Sequence, residues 1–202
     1  MIILKNFKRT ITIVLCLAIF IFALVAIILS FTKELFIAAN QESNVYEIRK
    51  TLFLTYYKPY TNVVGTPSYT MQGIIKFAND MKEHANVSTT ITQKFVIADY
   101  VPYAMNMKTL VIFIFIFEGI FVVGQIFSSR VFTNVLSSLG IFVLLNQLKS
   151  VGIGHFYNVG LIVDSTKDFN TIKAFWLVAF IISVVYLIFV ILVHEKKKNK
   201  GE

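Results

Sequence analysis

Cysteine, proline and charge are all scarce in this chain of 202 residues. It has one cysteine, three prolines and 15% charged residues, against about 25% charged residues in an ordinary soluble domain. A lone Cys16 excludes a disulfide within the chain and a metal site built from cysteines. The sequence also lacks a phosphate-binding loop, a dinucleotide-binding glycine motif and histidines at metal-ligand spacing. We therefore expect a non-enzymatic protein without cofactor or metal.

Long apolar runs are what the chain does have, since 56% of its residues are hydrophobic and its mean hydropathy is +0.72. A helix needs about 20 apolar residues to cross a bilayer. The sequence therefore predicts an all-α membrane protein with four transmembrane helices, at residues 11–31, 109–127, 131–148 and 174–193. The third stretch is the weakest because polar residues crowd both of its ends. The first exceeds the apolar core of a usual signal peptide, so we interpret it as a retained anchor.

Basic residues flank the predicted spans at both ends of the chain. Residues 1–10 contain three basic side chains, and residues 194–202 read HEKKKNKGE. By the positive-inside rule both termini are cytoplasmic, which requires an even number of crossings. This parity supports a crossing at residues 131–148, joined to the preceding span by a short cytoplasmic turn. The alternative is a re-entrant hairpin, which leaves only two full spans.

This topology places residues 32–108 and 149–173 outside the cell. The longer segment is predicted to be a small α+β extracellular domain. Residues 33–57 lack glycine and proline and are expected to prolong the first helix, while residues 71–85 repeat apolar residues at the spacing of a helical face. Residues 89–101 are rich in β-branched side chains and predict a strand. Three glycines make the shorter segment pliable: Gly152, Gly154 and Gly160.

One carboxylate, Glu118, interrupts the apolar run VIFIFIFEGIFVVGQIF, nine residues from either end of its predicted span. An ionised side chain near the centre of a bilayer costs about 2.5–3.5 kcal/mol on insertion scales, so this group must face the protein interior or be protonated. Gln125 lies seven residues further on, on the same helical face. Other spans supply further intramembrane polar candidates: Asn134, Ser137, Ser138 and Ser183. We expect the three serines to lie at a depth similar to that of Glu118.

Two interpretations of these polar residues remain open. Glu118 could form a proton- or substrate-responsive site, or it could be a protonated side chain whose hydrogen bonds fix helix packing. Packing is favoured because the sequence offers no cation to pair with the acid. The polar residues of the third span, together with Gly140, are likewise typical of close helix contacts, with a pore lining as the alternative.

Residues 128–138, SSRVFTNVLSS, follow a span that ends in GQIF. This stretch resembles the cytoplasmic entry of bacterial ABC-type export permeases, although Arg130 stands where those families have an acidic residue and their Gly-Thr pair is absent. One span, an extracellular domain and then three spans is also similar to the plan of the cell-division and macrolide-exporter permeases. The chain departs from the first group in having four spans rather than six. Its three-residue turn is also short for a helix that contacts an ATPase.

The resemblance implies the membrane subunit of a bacterial transport or export assembly in the plasma membrane, with peptides as a candidate cargo. The chain has no ATP-binding motif, so the ATPase would be a separate subunit. Expected partners are the lipid bilayer and that ATPase or another membrane protein, with no nucleic acid; homo- and hetero-oligomers both stay open. The alternative is a membrane-embedded immunity, sensory or accessory protein that acts by binding.

Overall fold

A computed structural model describes residues 2–38, 45–50, 55–59, 69–84, 95–125, 130–157, 159 and 161–198. Within these residues the chain forms five helices: α1 Ile2–Thr32, α2 Met71–His84, α3 Ile97–Gly124, α4 Arg130–Phe156 and α5 Lys167–Lys198. The same residues contain five short strands: β1 Phe36–Ala38, β2 Val45–Lys50, β3 Thr55–Pro59, β4 Phe95–Val96 and β5 Ile162–Ser165. The chain is therefore mainly helical.

Four of the described helices are long and apolar enough to cross a membrane. The qualifying segments are Phe7–Thr32, Asp99–Gly124, Val131–Phe156 and Lys167–Val193. Their outward faces carry large apolar side chains such as Leu17, Val122 and Ile188, each about half exposed, as lipid contact requires. The prediction of four long apolar helices is confirmed, including the weakest one at residues 131–148. These features are those of a multi-pass membrane protein.

All four of these helices extend beyond the predicted spans, and the extensions of α3 and α4 change the interpretation of neighbouring residues. α3 begins at Ile97 rather than at residue 109, with Asp99 in its first turn, where a carboxylate interacts favourably with the helix dipole. α4 continues to Phe156, so Gly152 and Gly154 are helical rather than part of a pliable loop. Gly160 lies outside the described residues.

The expected prolongation of the first helix is wrong. α1 ends at Thr32, and β1 follows and pairs antiparallel with β5, with Phe36 opposite Ser165. Thr166 extends this junction, because its backbone N–H donates to Leu35 O at 2.9 Å and its Oγ1 donates to Glu34 O at 2.6 Å. A strand partner about 130 positions away in the sequence leaves no local pattern. The lack of glycine and proline in residues 33–57 therefore suggested a helix, although the chain forms a strand after Thr32.

The remaining strands form a three-stranded sheet in the order β3-β2-β4. β2 is antiparallel to β3 and parallel to β4. The strand predicted at residues 89–101 is found only at Phe95–Val96, since α3 starts immediately afterwards and residues 89–94 lie outside the described part of the chain. The helix predicted at residues 71–85 is confirmed as α2.

The chain divides into two compact units. Unit 1 comprises Met1–Ile28, Ile114–Val143 and Thr171–Glu202, and unit 2 comprises Leu29–Phe113 and Leu144–Asn170. The described elements of unit 1 are helical, and its core includes Ile19, Ala23, Phe121, Ile141, Trp176 and Ala179. Unit 2 holds α2 and all five described strands, around a core that includes Phe36, Tyr69, Met71, Phe77, Phe156 and Phe169.

Candidate functional site

All six predicted site residues belong to unit 1, and five of them are buried. The exposed fraction is 0% for Ser137, Ser138 and Ser183, 2% for Asn134 and 4% for Glu118, while Gln125 is half-buried. Burying a polar group is costly unless it is hydrogen-bonded, so five such residues need a structural or functional reason. They are polar side chains within the otherwise apolar interior of unit 1.

Close contact between α3 and α4 brings part of this polar set together. A Cβ atom built on Gly140 would lie 2.7 Å from Phe117 Cε1, and one built on Gly124 would lie 2.5 Å from Thr133 Cγ2. Both distances are shorter than side chains tolerate, so glycine at each position lets the facing residue approach the helix backbone. In unit 1 the two helices therefore run antiparallel, because residues near the end of α3 face the beginning of α4.

A side-chain hydrogen bond joins the same two helices. Gln125 Nε2 donates to Asn134 Oδ1 at 2.6 Å, and it also donates to Phe121 O at 3.0 Å. The amide oxygen of buried Asn134 thus has a donor from the neighbouring helix. This bond supports the packing interpretation for these two residues.

Two of the three serines bond within their own helices. Ser138 Oγ donates to Asn134 O in α4, and Ser183 Oγ donates to Ala179 O in α5 at 2.7 Å. A hydroxyl bonded to the carbonyl four residues earlier is satisfied without a partner helix. The structure thus places Ser138 beside Asn134, whereas it shows no such bond between Ser183 and the other predicted residues.

Glu118 lies in the last third of α3, on the face that carries Phe121 and Gln125. It is six residues from the end of the helix at Gly124, or about 9 Å at 1.5 Å per residue. α3 begins twelve positions earlier than expected. Glu118 therefore lies closer to the C-terminal end of the helix than to its middle, whereas the sequence predicted a position at the middle of the span. Its side chain is 4% exposed, which agrees with the expected interior position.

Sequence reasoning missed Trp176, the only tryptophan of the chain. Its ring meets that of Phe121 edge-on, with centroids 5.5 Å apart and an angle of 85° between the planes. A tryptophan near the end of a predicted span usually marks the membrane interface, but this side chain is fully buried. The spacing of three and four between buried residues of α5 was the available signal: Phe169, Ile172, Trp176, Ala179, Ser183 and Tyr186.

Tyr69 belongs to the core of unit 2. Its ring is 1% exposed and stands edge-on to Phe77, with centroids 5.5 Å apart. Its hydroxyl donates to Leu161 O at 3.0 Å. Burial raises the pKa of the Tyr69 hydroxyl well above the ordinary tyrosine value, because the charged form would lose its hydration. Tyr69 therefore packs in the interior of unit 2 rather than at its surface.

A second aromatic contact in unit 2 joins α3 to α4. The rings of Tyr103 and His155 are stacked, with centroids 3.7 Å apart and an angle of 12° between the planes. Among the described residues there is no group of three or more His, Cys, Asp or Glu side chains that could hold a metal ion. The stacked rings of Tyr103 and His155 pack α3 against α4 in unit 2.

Comparison of the chain with protein-family models, with curated proteins and with solved structures finds no match.

Proposed function

We propose that this chain is a non-enzymatic integral membrane protein, the membrane subunit of a bacterial ABC-type transport or export assembly, with peptides as the candidate cargo. The observation that carries the proposal is the set of four helices that are long and apolar enough to cross a membrane. The buried polar side chains of unit 1, including Glu118 and Asn134, are costly in such helices and are interpreted as packing contacts between them. The resemblance of residues 128–138 to the cytoplasmic entry of export permeases is the reason for proposing a transport function.

The proposed orientation has four crossings of the plasma membrane, both termini in the cytoplasm, and residues 32–108 and 149–173 outside. Pairing between β1 and β5 supports it, because β1 lies in the first outer segment and β5 in the second. Two hydrogen-bonded strands must lie on the same side of the bilayer. The chain between them, which includes α3 and α4, must then cross an even number of times, which favours full crossings by both helices.

The two outer segments together form the proposed extracellular α+β domain. Their shared structure includes the β1–β5 pair and a hydrogen bond from Thr166 Oγ1 to Glu34 O at 2.6 Å. A small domain built from both segments in this way is suited to presenting a surface to cargo or to a partner. The energy for transport would come from the separate ATPase.

Co-purification tests the proposal. The tagged protein is purified in mild detergent from cells that also express any ATP-binding-cassette protein encoded by a neighbouring gene, with an unrelated tagged four-span protein as control. We expect the ATPase to co-elute with this chain and not with the control, and its ATP hydrolysis to change on binding. If the chain elutes alone, the transport assignment fails and the immunity, sensory or accessory alternative takes its place.

A further inference from the structure

In unit 1 the hydroxyl oxygen of Ser137 in α4 and the indole nitrogen Nε1 of Trp176 in α5 are fully buried and have no hydrogen-bond partner among the described residues. Leaving a buried donor or acceptor unsatisfied costs about 1–3 kcal/mol. Native proteins rarely leave such a group unsatisfied, and an ordered internal water often supplies the missing hydrogen bond.

The α3–α4 contacts place Ser137 at the level of Phe121. Gly140 faces Phe117, and Asn134 accepts the hydrogen bond from Gln125. In α4 the residue midway between these two contacts is Ser137, and in α3 it is Phe121. Both residues are buried, so each lies on the inward face of its helix at this level.

Trp176 reaches the same level from α5. Its ring packs edge-on against Phe121, the residue that lies level with Ser137. Glu118 is three residues before Phe121 in α3, less than one turn or about 4.5 Å along the axis. The hydroxyl, the indole and a buried carboxyl group therefore come from three helices to one level of unit 1.

We propose that Ser137 and Trp176 hold an internal water molecule beside Glu118. A water offers two donors and two acceptors, which match these groups. It would accept a hydrogen bond from Trp176 Nε1–H, donate one to Ser137 Oγ and donate a second to the Glu118 carboxyl group. A cation does not suit the site, because the indole N–H can only donate.

This site goes beyond the proposed transport function and does not depend on it. Its consequence is structural and chemical: the water links Glu118 in α3 to side chains of α4 and α5. Three partners fall within the two to four that a buried water needs.

Because Trp176 is the only tryptophan, ¹⁵N-tryptophan labelling of the full-length protein in lipid nanodiscs gives a single indole N–H signal. The measurement is the through-space cross-peak between that indole proton and water, recorded in the rotating frame, where its sign separates a bound water from proton exchange. We expect a bound-water cross-peak in the wild-type protein. Its absence from a folded wild-type sample would overturn the proposal.

Two variants of Ser137 identify the source of the cross-peak. Ser137→Ala leaves space and two other partners for the water, so the cross-peak should persist. Ser137→Val fills the site, so the cross-peak should be lost. Loss of the cross-peak in Ser137→Ala would mean that the hydroxyl proton of Ser137 was its source. Retention of the cross-peak in Ser137→Val would mean that the water lies elsewhere. Either result rejects the site.

Ser183→Val is the matched control. Ser183 is equally buried, but it lies seven residues along α5 from Trp176, and its hydroxyl bonds to Ala179 O. This variant should keep the cross-peak, whereas its loss would show that the peak responds to general repacking and would overturn the assignment. Gel filtration and circular dichroism establish that each variant is folded before its spectrum is interpreted.

Discussion

Gln125 in α3 and Asn134 in α4 share a side-chain hydrogen bond of 2.6 Å, from Nε2 to Oδ1, across the helix pair of unit 1. Asn134 is 2% exposed, whereas Gln125 is half-buried. The acceptor is therefore shielded from water, and it depends on the donor from the other helix. The energetic value of this bond can be measured directly.

A double-mutant cycle on Gln125→Ala and Asn134→Ala isolates the bond. We expect each single change to lower the free energy of unfolding, and the pair to show a coupling energy of about 0.6 kcal/mol, up to about 1.7 kcal/mol, as found for hydrogen bonds between membrane helices. Reversible unfolding in mixed micelles gives the four values. Gln125→Ala combined with Gln147→Ala is the control, since Gln147 is exposed on α4. Zero coupling for the first pair would contradict a packing role for this bond.

Gly152 and Gly154 offer a matched test of close packing in unit 2. A Cβ on Gly152 would lie 2.7 Å from Cζ of buried Phe36, whereas one on Gly154 would meet nothing within 4 Å. Gly152→Ala should therefore lower the free energy of unfolding by about 1–3 kcal/mol through overpacking. Gly154→Ala should be neutral or raise it by up to about 1 kcal/mol, because alanine favours a helix. Thermal unfolding measures both, and equal effects would argue against the Phe36 contact.

The predictable features of this chain are the local ones. Apolar runs predict spans because a lipid environment selects each residue of a helix for hydrophobicity, and Glu118 was identified because it breaks such a run. The pairing of Phe36 with Ser165 was missed because strand partners distant in sequence leave no local pattern. Trp176 was overlooked for a related reason. Its burial is set by Phe121 on another helix, and interface tryptophans have the same sequence signature.

Alkaline pH should destabilise the protein through Tyr69. Burial raises the pKa of this hydroxyl in the folded state, while the unfolded chain keeps the ordinary value of about 10. Above about pH 10 the folded state therefore binds more protons than the unfolded state, so the free energy of unfolding falls as the pH rises. The stabilising contribution is fully present below pH 10.

Tyr69→Phe separates this effect from other titrations. The variant loses the hydrogen bond to Leu161 O, so at neutral pH it should be less stable by about 1 kcal/mol. Between pH 9 and 11, however, its free energy of unfolding should decline less steeply than that of the wild type. Parallel pH profiles for the two proteins would rule out Tyr69 as the source.

Lysine labelling in intact cells tests the proposed orientation. An impermeant amine reagent should modify Lys82 and Lys167, whose side chains are exposed in unit 2 and at the start of α5. Lys5 and Lys197, in the proposed cytoplasmic tails, should react only after the cells are opened. Peptide mass spectrometry assigns the modified sites. Labelling of one tail alone would indicate an odd number of crossings, most simply because residues 131–148 do not span.

Glu118 decides between a packing role and a working site. Glu118→Gln preserves the shape and most of the hydrogen-bonding capacity, but a glutamine cannot exchange a proton. If the carboxyl group only supports packing, this variant should keep both its stability and any activity of the assembly. Glu118→Leu removes all hydrogen bonding from a buried position and should lower the free energy of unfolding by about 1–3 kcal/mol.

Three outcomes for these variants are distinct. Burial beside Phe121 and Gln125 leads us to expect a tolerated Glu118→Gln and a destabilising Glu118→Leu. A Glu118→Leu protein more stable than the wild type would instead mean that the side chain faces lipid, where removing the acid lowers the cost of insertion. A folded Glu118→Gln protein that binds its ATPase but no longer supports transport would reject the packing role. That result would require ionisation of Glu118 during transport, since the substitution leaves the shape of the side chain intact and removes its titratable proton.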